Sequence, residues 1–352
     1  MARSLLHVLL AGLLVVATAS CSAPGNGAEP DGTWLLISDY GAKRVQVLST
    51  AGALDDLARG TPLNLSDRGP CGVAVGPGNR LYVADYDNSE IIVYGLAAAL
   101  EGGSPAVVAT ITSNELSGPC GVAFDADGTL WVGDYHLEHV VAFRGLGSLA
   151  GDHDLEPDVL LTIAGPGVFA WSGIYHVLVD AQDRLWVLDY FNETISRIDA
   201  ITTLNGNVLN RVPEMQIVET EATNPPAGGG YTLYDPASIA VDAAGRLYVG
   251  NWTEGYVTRF DGAGTAEGVI EPQGSAYLVV TGVEYPYLVA LDAEGALWVG
   301  NEQTVARVMN PGSGTGVRTL VPTRSLTYTG SVDGYNDGGG MTFVPMPAGL
   351  GF

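Results

Sequence analysis

Apolar residues run through this chain in short stretches separated by Gly, Pro, Asn and Asp, and the same succession of stretches returns again and again. "GPCGVAVGPGNRLYVADYDNSEIIVYGL", beginning at Gly69, is followed by "GPCGVAFDADGTLWVGDYHLEHVVAFRGL" and "GIYHVLVDAQDRLWVLDYFNETISRID". Two more copies read "DPASIAVDAAGRLYVGNWTEGYVTRFD" and "YPYLVALDAEGALWVGNEQTVARVMN". In each copy the first stretch (72–75, 121–124) is apolar without alternation, which predicts a strand buried on both faces. "DADG", "DAQD", "DAAG" and "DAEG" then predict a tight hairpin, because Asp and Gly tolerate the dihedrals it needs. A second strand follows in "LYVADY", "LWVGDY", "LWVLDY", "LYVGNW" and "LWVGNE". A β-branched third covers 91–94, 140–143, 195–198, 257–260 and 305–308, and a weaker fourth falls at 106–112 and 215–218.

Four strands in a repeat of about 50 residues describe one blade of a propeller. The acid or amide that ends the second strand recurs as Asp39, Asp85, Asp134, Asp189, Asn251 and Asn301, spaced 46, 49, 55, 62 and 50 residues apart. Six markers predict an all-β, six-bladed propeller of four-stranded blades. The sixth unit is divided between "GTWLLISDYGAKRVQVLS" at 32–49 and "GGGMTFVP" at 338–345. Pairing of the first and last strands then closes the ring and removes a free sheet edge.

The pattern PxG[IV]A, D..G.L[YW]V.D[YW] resembles the NHL-type propeller and, more broadly, the gluconolactonase and regucalcin group of six-bladed propellers. The resemblance spans 33–345 as one domain, with 346–352 as a tail, and it implies a ligand site where the entrance loops surround the central channel. Aligned units put Cys71, Cys120, Tyr175, Ala237, Tyr287 and Gly339 at one entrance position, and Gly72, Gly121, His176, Ser238, Leu288 and Gly340 at the next. Similar lactonases hold a divalent cation through Glu, Asn and Asp at such positions. Here Cys, Tyr, Ala and Gly replace those oxygen ligands, so the expectation is no metal and no cofactor. The channel-mouth candidates are Cys71, Cys120, Tyr175, His176, Ser238 and Tyr287.

Because relatives reach an axial metal from this ring, its positions lie close together, and the resemblance implies that Cys71 and Cys120 form a disulfide. The alternative is a Cys71, Cys120 and His176 set holding zinc or copper. The Asp39, Asp85, Asp134, Asp189, Asn251 and Asn301 ring is expected to be structural, each side chain accepting N–H bonds from its own turn. Its aromatic neighbours Tyr40, Tyr86, Tyr135, Tyr190 and Trp252 offer the alternative of a carbohydrate or cation platform. No nucleophile elbow or other paired catalytic motif appears, so a binding module is the leading reading, with a hydrolase or lyase centred on His176, Cys71 and Cys120 as the alternative.

The N-terminus adds an address. Arg3 precedes an apolar stretch at 5–16, too short to cross a bilayer, and small residues lead to Cys21. "TASCS" resembles a lipoprotein lipobox, which implies a signal peptide at 1–20, an acylated Cys21, a polar tether over 21–32 and anchoring in a bacterial envelope, by preference at the outer membrane. Charge narrows the partners: 39 acidic against 15 basic residues, a formal net of −24, repel nucleic acid and anionic lipid. What remains is a neutral ligand, a sugar or a protein segment at the mouth, with membrane contact through the lipid alone.

Overall fold

The computed structural model describes residues 33–49, 58–59, 61–165, 173–219, 232–233, 235–270, 273–301, 304–327 and 341–345. Cys21, Gly339, Gly340 and most of the long entrance loops at 166–172 and 220–231 lie outside them.

Six sheets radiate around an axis, each starting with an apolar inner strand. The second blade illustrates the rest: Pro70–Gly76, Arg80–Asp85, Glu90–Gly95 and Val107–Thr112 follow one another outward as antiparallel neighbours. The inner strands of the third to sixth blades are Pro119–Phe124, Ile174–Val179, Pro236–Val241 and Leu288–Leu291. In the first blade Met341–Pro345 pairs with Thr33–Asp39, with Leu35 opposite Phe343, so the two ends of the chain share one sheet and the ring is closed. Among the described residues one short α-helix, Leu96–Glu101, interrupts the strands.

Five of the six sheets carry a fifth strand, which the four-stranded expectation lacked. In the first blade the extra strand arises because Ala58–Arg59 and Leu63–Asn64 both pair antiparallel with Arg44–Ser49. In the second to fifth blades the added strand comes from the connection between the third and fourth strands of the following blade, and lies parallel on the outer edge of the blade before it. Gly151–Asp154 pairs with Val107–Thr112, Gly206–Arg211 with Val159–Ile163, Gly268–Ile270 with Met215–Val218, and Gly316–Leu320 with Ala276–Val280. These segments are largely exposed and short of apolar residues, so no periodicity announces them.

Between the sheets the second-strand indoles are the largest fillers, with Trp131, Trp186 and Trp298 buried to 1% exposure or less. Guanidiniums, those of Arg197 and Arg259 buried, stitch neighbouring blades at the opposite end from the channel mouth. Arg144 donates to the Leu204 carbonyl (2.9 Å), Arg197 to that of Ala263 (2.9 Å) and Arg259 to that of Pro311 (2.7 Å), each carbonyl lying in the next blade's outer connection. Much of the scarce positive charge is thereby committed to holding the ring together.

Candidate functional site

The phrase "GPCG" opens the inner strands of the second and third blades, and its residues meet at the axis. Cys71 and Cys120 are joined in a disulfide with Cα atoms 4.7 Å apart, and both are buried. With the sulfurs bonded to each other neither is a thiolate, so the zinc or copper set with His176 is not formed. Among the described residues no group of three or more His, Cys, Asp and Glu converges as a metal would need. The glycines beside the cysteines are demanded by proximity. A Cβ on Gly72 would stand 2.1 Å from the Cys120 carbonyl oxygen, and one on Gly121 would stand 2.5 Å from the Val177 nitrogen. Three inner strands therefore approach closer than any side chain permits.

The same strands wall the channel, a cavity of about 240 Å³ lined by 72–75, 121–124 and 176–179. His176 is the one titratable side chain among those residues. Its Nδ1 is buried with no hydrogen-bond partner among the described residues, while the residue keeps partial exposure to the lumen. Burial pushes its pKa down to about 4, so the imidazole is neutral at physiological pH. Of the other entrance candidates, Ser238 is fully used between blades: its hydroxyl donates to the Tyr287 carbonyl (2.6 Å) and accepts from the Val289 N–H (2.8 Å). Tyr175 and Tyr287 are buried at 8% and 4% exposure, so they act as walls and offer little open surface.

The ring of acids is occupied by backbone. Asp85 accepts from the N–H groups of Gly69 (2.8 Å) and Asn88, Asp134 from Ser117, Gly118, His136 and Leu137, and Asp189 from Gly173 and Asn192. Asp39 holds its turn through Ala42 and adds Arg44 and Gln46, while Asn301 accepts from Thr304. Asp85, Asp134 and Asp189 thus clamp the turn after the second strand to the entry of the first. Asn251 differs: its amide donates to Thr258, and its buried Oδ1 has no partner among the described residues. The Asp235 N–H at that entry bonds Glu193 instead. The Glu193 carboxyl is pushed up to about 7 by burial and by the nearby Asp235 and Glu219 charges.

What stands above this ring is aromatic. Tyr40 meets Tyr86 at 6.1 Å between centroids, Tyr86 meets Tyr135 at 5.9 Å, and Tyr135 meets Tyr175 and Tyr190 at 6.1 and 6.5 Å. His136 lies between Tyr86 and Tyr135, at 5.1 and 5.4 Å. Phe191, 55% exposed, packs on Tyr135 at 5.1 Å and on Tyr190 at 5.6 Å. Trp252 stacks on Tyr287 at 4.3 Å in the fifth and sixth blades. The repeat explains the arc, because each tyrosine leans over the next blade's entry glycine. A Cβ on Gly69 would strike Tyr40 and Asp87, one on Gly118 would strike His136 and Tyr86, and one on Gly173 would strike Phe191 and Tyr135. Phe191 and His136 were not singled out from sequence as mouth residues. Their shared signal is the second place after the marker Asp, which three successive blades turn onto the neighbouring tyrosine.

Comparison with known proteins bears on fold. The NHL repeat model matches residues 68–94, within the second blade. No curated protein matches the chain. A protein of unknown function from Bacteroides caccae superposes with a TM-score of 0.57 at 9% identity, covering 90% of this chain and 100% of that one. Virginiamycin B lyase from Staphylococcus aureus gives 0.47 at 15% identity, over 78% of this chain and 75% of that one. A nidogen/laminin complex structure gives 0.48 at 16% identity, over 82% and 98%. At such identities the likeness is one of architecture and carries no activity across. The chain is a six-bladed β-propeller whose second blade matches the NHL repeat model.

Proposed function

We propose that this propeller is a non-catalytic binding module of the bacterial envelope, held to a membrane by acylated Cys21 and engaging its ligand with the channel-mouth face. One observation carries the reading: an uninterrupted arc of aromatic rings from Tyr40 to Tyr190, with Phe191 exposed at its crest, mounted on rigid strand ends. Aromatic side chains offer large contact areas at little entropic cost, and strand ends fix them in place. The alternative of a hydrolase or lyase rests on His176 alone once both cysteine sulfurs are bonded to each other, and a lone neutral imidazole has neither a nucleophile to activate nor a group to orient it.

The test is a panel of oligosaccharides and peptides screened against the wild type and Phe191→Ala, with lactone and ester substrates alongside. Binders whose affinity falls at least fivefold in Phe191→Ala support the module. Turnover that disappears in His176→Ala would overturn it. The anchor is tested separately, since Cys21→Ala is expected to leave the protein soluble, and persistent fractionation with membranes would remove that part of the proposal.

A further inference from the structure

A second cavity, of about 270 Å³, lies in the cleft between the third and fourth blades. It sits toward the mouth-face end, where Glu138 and His139 leave the third blade's turn and Asp189 stands opposite Thr194 in the fourth. Leu137, Val140, Leu161, Ile163, Ile174 and Val187 give it an apolar wall. Set into that wall are polar side chains more than nine-tenths buried: His139 at 6% exposure, Asp189 at 4%, and Thr194 and Ser196 at 2%. The room comes from the fourth blade. Ser196 is paired with Val187 as Val141 is with Val132 in the third blade and Ile92 with Val83 in the second. On its other side Ser196 faces Gln216, where the third blade pairs Val141 with Leu160. A hydroxyl in place of a branched apolar side chain removes volume, and a buried polar pair in place of an apolar one costs desolvation. Such departures from the local pattern are expected where a site is built.

What each polar group has left to offer defines the ligand. The Ser196 oxygen accepts from the Gln216 amide (3.1 Å) and the Thr162 oxygen from the Asn210 N–H (2.8 Å), so both hydroxyls keep a proton to donate. His139 Nε2 donates to the Glu115 carbonyl (3.0 Å), so in the neutral ring Nδ1 is an acceptor. Asn210 also lines the cavity and brings an amide that does both. Among the described residues no Lys or Arg lines it, while two carboxylates do, which disfavours an anion. Asp189 is committed to the Gly173 N–H and to Asn192, so a buried ammonium would have the partly exposed Glu138 alone to pair with. We infer that this cleft binds one neutral ring bearing several hydroxyls, a monosaccharide by class, with its C–H face on the apolar wall and its hydroxyls shared among Thr162, Ser196, His139 and Asn210. A volume of about 270 Å³ is at the small end for ligand sites and admits one ring and no oligomer. None of the arc's tyrosines lines the cleft, nor does Phe191, so the site is separate from the arc and stands whether or not the arc binds anything.

Calorimetric titration of the Cys21→Ala chain tests this with glucose, galactose and mannose as ligands, and with glucosamine, glucuronate and cyclohexanol as cationic, anionic and apolar controls. At least one hexose is expected to bind tenfold or more tightly than every control. The Ser196→Val, Gln216→Leu double variant writes the third blade's apolar pair into the fourth, and should weaken that hexose at least tenfold while keeping the wild-type melting temperature. Thr162 is partly exposed, so Thr162→Val removes one donor with little risk to folding and should weaken the hexose about fivefold. Phe191→Ala should bind it as the wild type does.

Hexose binding that survives Thr162→Val and the double variant but falls in Phe191→Ala would place the sugar on the arc, ending the cleft inference and supporting the mouth-face reading. Glucosamine, glucuronate or cyclohexanol binding as tightly as the best hexose would overturn the ligand class. Failure of all three hexoses to bind the Cys21→Ala chain would overturn the inference outright and leave the mouth-face reading to its own panel of oligosaccharides and peptides.

Discussion

The indole nitrogen of Trp186 donates to Asp180 Oδ2 at 2.7 Å, across the hairpin that joins the first two strands of its blade. The bond recurs between Trp131 and Asp125 (3.0 Å) and between Trp298 and Asp292 (2.9 Å), and Tyr248 makes it with its hydroxyl to Asp242 (3.1 Å). In each case the other carboxylate oxygen accepts two N–H groups of the turn, as from Gln182 and Arg184 in the Asp180 hairpin. One side chain thus closes the turn and satisfies a buried indole. Asp125→Ala should cost about 2–3 kcal/mol, because it orphans a buried donor as well as loosening a turn. Urea melts compared with Asp127→Ala, a neighbour on the exposed side of the same hairpin, measure the difference.

The disulfide closes a loop of 49 residues between adjacent inner strands. Losing it in Cys71→Ser, Cys120→Ser should remove about 4 kcal/mol in the chain-entropy account. A Cys21→Ala protein should show no reactive thiol when labelled folded without reductant. Two reactive thiols would contradict the bond.

Two partly buried groups give stability opposite slopes on the acid side of neutrality. His176 titrates at about 4 when folded against an ordinary 6.5, so its contribution is complete above 6.5 and is lost as the pH falls toward 4, by about 3 kcal/mol at the end of that range. Glu193 titrates at about 7 against 4.5, so it weakens the fold as the pH rises from 4.5 toward 7, by about 1–2 kcal/mol once its partial exposure is allowed for. Chemical denaturation from pH 4 to 8 should show His176→Gln keeping only the loss on raising pH, and Glu193→Gln only the loss on lowering it. Identical profiles for both variants and the wild type would refute the assignment.

Truncation before Gly338 removes Met341–Pro345 and with it the strand paired to Thr33–Asp39. The shortened chain is expected to lose its single cooperative melt, since the first blade is then left without its inner strand and the ring without its closure. Calorimetry on the two lengths decides it.

Blade number, strand order and closure were legible because inward positions repeat at fixed places, and an apolar run between turn residues has few other uses. "DADG" read as a hairpin for the same reason, although the indole that makes its Asp indispensable lies across the turn, where only coordinates place it. The back-reaching strands were invisible, since Gly206–Arg211 holds its place largely through backbone pairing, with Val208 alone of its side chains packed on the core. At the mouth, the ring position of the tyrosines was readable. That Tyr175 is a wall while Phe191 is open depends on how far each strand end projects, which spacing does not encode.

Those back-reaching strands make the blades overlap like roof tiles, the second to the fifth each finished by its successor. Cutting the chain within 206–211 therefore damages two sheets at once, the third through its missing edge and the fourth through its severed connection. A circular permutant opened in a hairpin such as 77–79 breaks only one. Newly synthesised chain meets the same arithmetic in time: the second to fifth blades acquire their outer edges only when part of the next has emerged, and the first waits for the last strand of all.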